Sequence, residues 1–116
     1  MPTPTIRHLL VDASGCSALL DDDEGLVAAM RAAAAHVGAT EVGEGRARYV
    51  PHGITAVLFL AESHILVSTW PEHELALVDI QFCNLHMDPS EAWSVLKLAL
   101  GATSERLTWV GRGQSV

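Results

Sequence analysis

Apolar positions along the chain follow two rhythms. Short runs rich in β-branched and bulky residues predict strands, and two longer stretches with apolar residues three and four apart predict helices. Leu9, Leu10 and Val11, within a segment running from Ile6 to Ala13, mark a buried first strand ended by Ser14 and Gly15. An alanine-rich stretch follows the acidic run Asp21 to Glu24 and carries Leu26, Val27, Met30 and Ala34 at helical spacing. It reads as a helix reaching His36 and stopped by Gly38. Thr40 to Val50 is a strand weakened by Gly43 and Gly45, and Ile54 to Ala61 is a nearly continuous apolar strand. Ser63 to Thr69 and Leu75 to Phe82 are two more, joined by a tight loop at Pro71 to Glu74, because proline cannot donate to a ladder. Asp88 and Pro89 supply a cap and a first turn for a second helix with Ala92, Trp93, Val95, Leu96, Ala99 and Leu100, ended by Gly101. Arg106 to Val110 is the last strand, and Gly111 to Val116 a frayed end. The order β, α, several β, α, β predicts an α+β two-layer sandwich, an antiparallel sheet with two helices on one face.

With 116 residues the chain has room for one core, so residues 1–116 read as a single domain. At 49% hydrophobic and 18% charged, it reads as a folded globule rather than a disordered chain. Fourteen acidic residues against seven basic give a net charge of -7, which disfavours nucleic acid and anionic membranes as partners. The longest apolar run, Ile54 to Ala61, is too short to span a bilayer, and the N-terminus has no signal-peptide pattern, so a cytoplasmic location is expected. Cys16 and Cys83 are then expected to be free thiols, and their spacing fits no zinc motif. The carboxylates from Asp21 to Glu24 suit a helix N-terminus, where the macrodipole stabilises them, and imply no metal.

The chemistry-bearing segments are Glu62-Ser63-His64, Thr69-Trp70-Pro71-Glu72 and Phe82-Cys83. Together with His8-Leu9-Leu10-Val11-Asp12, Gly15-Cys16 and Pro51-His52-Gly53, they give the chain a pattern that resembles the prokaryotic S-adenosylmethionine decarboxylase proenzymes over almost its whole length. Removing carbon dioxide from an amino acid leaves a carbanion that side chains alone cannot hold, and a carbonyl cofactor forming a Schiff base supplies the missing electron sink. No phosphate cradle or lysine motif for pyridoxal phosphate is present. The resemblance implies instead a pyruvoyl group made from the chain itself, by self-cleavage between Glu62 and Ser63 through an ester intermediate.

By the same resemblance Ser63 is the pyruvoyl precursor, His64 belongs to the cleavage motif, and Cys83 donates a proton to the α-carbon after carbon dioxide leaves. Thr55 matches a hydroxyl that assists the acyl shift. Tyr49 matches an aromatic that stacks on adenine and Glu72 a carboxylate that binds the ribose hydroxyls. Trp70 reads as packing beside the site, and Ile65 as a residue lining the substrate pocket, with simple core the common alternative for an apolar strand position. The family context also implies a homodimer of cleaved protomers with sites near the interface. One position departs from the pattern: Ser68 stands where the family carries histidine, and a hydroxyl does not titrate near neutral pH. His52, His73 and His86 are other imidazoles in the chain.

The leading expectation is a pyruvoyl-dependent decarboxylase acting on S-adenosylmethionine for polyamine synthesis. Two alternatives stand beside it. One is a pyruvoyl enzyme for another amino acid, such as ornithine or arginine. The other, motivated by Ser68, is an uncleaved relative that binds a nucleoside or a partner chain or has acquired another chemistry.

Overall fold

The computed structural model describes residues 6–83 and 86–113. Its strands are β1 (Ile6–Ser14), β2 (Glu41–Arg48), β3 (Ile54–Leu60), β4 (Ser63–Trp70), β5 (Leu75–Phe82) and β6 (Ser104–Arg112), and its helices α1 (Asp23–His36) and α2 (Pro89–Leu100). The strands form one antiparallel sheet in the order β2-β3-β4-β5-β1-β6. Alternation along the strands decides what each face carries. Leu9, Val11, Ile54, Ala56, Leu58, Ile65, Val67, Val78, Ile80 and Phe82 are buried and join Leu26, Met30, Trp93, Leu96 and Leu100 of the helices in one core. The intervening residues, including Leu10, Val57, Phe59, Leu66 and Leu77, lie on the opposite face, which no element of the described chain covers. This is the expected two-layer sandwich.

Both helices begin as their sequences suggest. The Asp22 side chain accepts from the Gly25 N–H at 3.0 Å, and Asp88 accepts from the Ser90 N–H at 2.9 Å with Pro89 opening the helix. The acidic run does more than cap α1. Asp23 and Glu24 pair with Arg46, Asp23 also pairs with Arg48, and the Asp21 carboxylate accepts from the Gly53 N–H at 3.0 Å. The start of α1 is thus bound to β2 and to the β2–β3 turn.

Three boundaries differ from expectation. β6 extends beyond Arg106–Val110 at both ends because it pairs with β1 from Ile6↔Arg112 to Ser14↔Ser104. Gly111 and Arg112 are therefore strand rather than frayed end, while residues 114–116 lie outside the described residues. β2 stops at Arg48 because the Tyr49 N–H turns to the Gly53 carbonyl at 2.9 Å, closing a turn that contains a cis Val50-Pro51 bond. Gly53 has φ +110° and would bring a Cβ to 3.2 Å from the Thr69 carbonyl oxygen, so both its backbone conformation and its neighbours favour glycine. The expected loop after β4 is a single 3-10 turn, Pro71–His73, followed by Glu74 in the left-handed region.

Candidate active site

The residues singled out from the sequence fall into two groups at opposite ends of the β3–β4 hairpin. The first surrounds the Glu62-Ser63 bond. Ser63 has φ +132°, an uncommon backbone conformation for a residue with a side chain. Its Oγ lies 3.1 Å from His64 Nδ1 and accepts from Gln81 Nε2 at 3.0 Å. His64 and Gln81 both belong to the uncovered face, so the Ser63 hydroxyl is turned to that side of the sheet. The carbonyl oxygen of Glu62 accepts from the backbone N–H of Cys83 at 3.0 Å. The Glu62 carboxylate turns away and accepts from the Thr40 N–H at 3.1 Å.

Behind His64 lies a carboxylate that sequence reading did not single out. His64 Nε2 is 3.3 Å from Asp79 Oδ1, and His8 Nε2 reaches the same oxygen at 2.5 Å. The three donor atoms lie within 4.8 Å of one another. Two imidazoles and a carboxylate form a donor set that suits a divalent transition metal, but here the three side chains are engaged with one another. Strand alternation is the signal that was available: His8 and His64 both stand opposite Gln81, and Asp79, two positions along β5, shares their face.

The second group stands around the other end of the hairpin. Thr55 and Ser68 are cross-strand partners with hydroxyl oxygens 2.9 Å apart, and the Tyr49 hydroxyl donates to Thr55 Oγ1 at 3.0 Å. With His52, Trp70 and Glu72 they line a cavity of about 530 Å³. Glu72 Oε2 lies 3.6 Å from His52 Nδ1. Tyr49 and Glu72, expected to serve one nucleoside, therefore share one cavity, and Trp70 forms part of its wall. Thr69, between Ser68 and Trp70, points into the core and ties β3 to the loop before α1, with Oγ1 donating to the Leu20 carbonyl and accepting from the Ile54 N–H.

Five register steps separate the Thr55–Ser68 pair from the Leu60–Ser63 pair, roughly 16 Å at the rise of a strand. One chain therefore does not bring the two groups together. Ile65 is the clear correction. Expected to line a substrate pocket, it is fully buried with the helix-facing residues, because odd-numbered positions from Ile65 to Thr69 point into the core. The two cysteines are free and differ in kind. Cys16 is buried, and burial pushes its thiol pKa up, whereas Cys83 is exposed.

Comparison with known proteins gives this arrangement its context. The sequence model of the S-adenosylmethionine decarboxylase family matches residues 7–113. The chain belongs to the S-adenosylmethionine decarboxylase family. It is 37% identical over 95 residues to the S-adenosylmethionine decarboxylase proenzyme of Thermosipho melanesiensis, covering 81% of this chain and 73% of that protein. It is 41% identical over 96 residues to that of Symbiobacterium thermophilum, covering 82% and 73%. The crystal structure of the adenosylmethionine decarboxylase from Aquifex aeolicus superposes with a TM-score of 0.84 at 31% identity, covering all of this chain and 96% of that one. The family is pyruvoyl-dependent and made as a proenzyme, and the α+β fold expected from the sequence is the fold of that solved relative. No helix among the described residues is long and apolar enough to cross a membrane.

Proposed function

We propose that the chain is a self-cleaving proenzyme that breaks its Glu62-Ser63 bond and becomes a pyruvoyl-dependent decarboxylase of S-adenosylmethionine. The observation that carries this reading is the state of the scissile bond: its carbonyl oxygen accepts from the Cys83 N–H at 3.0 Å while the Ser63 hydroxyl beside it is held by Gln81 and His64. A backbone donor on that oxygen stabilises the negative charge that develops when a hydroxyl adds to the carbonyl. The residues fit a pyruvoyl group derived from Ser63, whose carbonyl supplies the electron sink for decarboxylation. Cys83, exposed and adjacent in space to the cleavage point, is the proton donor to the α-carbon.

The second half-site supplies recognition. Tyr49 offers a ring face for adenine and Glu72 a two-oxygen acceptor for the ribose hydroxyls. The Thr55–Ser68 pair offers two hydroxyls as hydrogen-bond partners of the reacting carbonyl.

The gap between the half-sites supports a homodimer as the working unit. Both groups lie on the uncovered face, whose apolar residues Leu10, Val57, Phe59, Leu66 and Leu77 form a surface for a second sheet. Glycine and alanine at Gly43, Gly45 and Ala47 keep its β2 edge low. A two-fold axis lying across the strands uses the same patch twice in opposite directions and brings the Ser63 end of one protomer to the Tyr49 end of its partner. A cytoplasmic setting is part of the same reading, in line with the family's chemistry. Release of carbon dioxide from carboxyl-labelled S-adenosylmethionine by the cleaved protein tests the proposal. Release from ornithine or arginine alone would replace the substrate, and cleaved protein inert toward all three would remove the activity.

A further inference from the structure

Resting on the self-cleavage reading, we infer that His64 is the proton acceptor for Ser63 in the first step of cleavage, with Asp79, His8 and Gln81 as its positioning residues. The hydrogen bonds around Ser63 can be assigned a direction without reference to any ligand. Arg112 Nη1 donates to Gln81 Oε1 at 3.2 Å, which fixes the Gln81 amide with its nitrogen toward Ser63. Ser63 Oγ thus accepts from Gln81, and its own proton is left to point at His64 Nδ1, 3.1 Å away. Asp79 Oδ1 is an acceptor, so the His64 Nε2 that faces it at 3.3 Å is the protonated nitrogen and Nδ1 carries the lone pair. His8 Nε2–H donates to the same Asp79 oxygen at 2.5 Å. The direction is consistent throughout, and it is the hydroxyl–imidazole–carboxylate logic by which weak oxygen nucleophiles are activated.

The step balances. As Ser63 Oγ bonds to the Glu62 carbonyl carbon, its proton passes to His64 Nδ1, and the carbonyl electron pair moves onto the oxygen held by the Cys83 N–H. When that pair returns, the Glu62-Ser63 carbon–nitrogen bond breaks, and the proton on His64 passes to the leaving nitrogen. The products are an ester at Oγ and a free amine on Ser63. Asp79 stabilises the imidazolium that exists between the two transfers, and the proton on His8 keeps that carboxylate aimed at Nε2. This places an imidazole next to the nucleophile within one chain, independently of the hydroxyl at Ser68.

The titratable groups that reach His64 are Asp79 from β5 and, on the same carboxylate, His8 from β1, with Arg112 of β6 one step away on Gln81; Arg106 pairs with Asp12 farther along β1. β3 presents Phe59 opposite His64 and no charge.

The test follows first-order cleavage of purified full-length chain by denaturing mass analysis, at one fixed pH near neutrality, for wild type, His64→Ala, Asp79→Asn, Asp79→Glu and His8→Gln. His64→Ala should slow cleavage on the order of 100-fold or more, and added imidazole should restore part of the rate. Asp79→Asn should slow it about tenfold, and Asp79→Glu, which keeps a carboxylate behind the imidazole, should restore part of the rate. His8→Gln should slow cleavage less than Asp79→Asn. Thermal unfolding of each variant identifies any that fail to fold, and for those imidazole rescue and the conservative His64→Gln variant decide. Wild-type cleavage with His64→Ala equally fast, or slowed without imidazole rescue and with Asp79→Asn as fast as wild type, overturns the inference while leaving self-cleavage standing. A wild-type chain that never cleaves overturns both.

Discussion

The backbone N–H of Cys83 donates to the carbonyl oxygen of Glu62 at 3.0 Å, so the residue that carries the thiol, just past the end of β5, also holds the peptide bond before Ser63. Two tasks of one residue are thereby separable, because the donor to the carbonyl is main chain and the thiol is side chain. Cys83→Ala should self-cleave within a few-fold of the wild-type rate yet decarboxylate on the order of 100-fold more slowly, since only the thiol can protonate the α-carbon. Cleavage followed by mass and turnover followed by labelled carbon dioxide check the two halves.

The division of the site between the two ends of the β3–β4 hairpin predicts complementation. Ser63→Ala and Glu72→Gln each damage a different half-site; assayed well below KM, the first should give no decarboxylation and the second about a tenth of the wild-type rate. Co-expressed and allowed to mix, half the dimers should be mixed with one intact site each, for about a quarter of the wild-type activity. Activity that stays at the sum of the two single variants would argue against sites shared between protomers.

Tyr49 and Glu72 line one cavity, and neither touches Ser63. Tyr49→Ala and Glu72→Gln should therefore still cleave. Each should raise KM for S-adenosylmethionine about tenfold, the worth of one stacking or hydrogen-bonding contact. Steady-state kinetics on the cleaved variants reads this directly.

Gly53 sits at φ +110° with the Thr69 carbonyl oxygen 3.2 Å from any added Cβ, and its N–H is held by Asp21. Gly53→Ala should destabilise the chain by about 1–3 kcal/mol through backbone strain. Because this turn presents Tyr49, the variant should also weaken substrate binding. Denaturant unfolding and KM together test the coupling.

Acid should loosen the α1–β2 junction. Hydrogen bonds from Arg46 hold the Asp23 and Glu44 carboxyls below the ordinary range, and Arg31 does the same for Glu41. Groups whose folded pKa is depressed contribute stability above their unfolded pKa of about 4, and that stability is lost as pH falls through the folded values. Wild type should lose stability between pH 5 and pH 2, and Arg46→Met should be less stable at pH 7 with a shallower loss over the same interval. Denaturant midpoints across that range measure both.

The residues explain which parts of this were legible in advance. The periodicity at Leu26, Val27 and Met30, the caps at Asp88 and Gly101, and the apolar run from Ile54 are local signals, and local signals are what a sequence carries openly. β6 was read short because an edge strand with exposed Ser104, Glu105 and Arg112 has no burial pattern of its own, and only pairing with β1 defines its ends. The motifs named Ser63, His64, Cys83, Thr55, Tyr49 and Glu72, but not their separation, which depends on a register that no motif encodes. Ile65 was misread because a single apolar residue beside a motif does not reveal which face it takes. His8 and Asp79 lie 71 positions apart and meet only once β5 and β1 pair. Arg46 and Arg48 likewise find Asp23 only through packing.

The most direct measurement is denaturing intact-mass analysis of freshly purified and long-incubated chain. Self-cleavage predicts two fragments that meet between Glu62 and Ser63, the downstream one lighter by one ammonia than a fragment beginning with free serine, and none from Ser63→Ala. A chain that stays full length under conditions where it is folded would contradict the conversion of Ser63 to a pyruvoyl group, and with it the proposed decarboxylase.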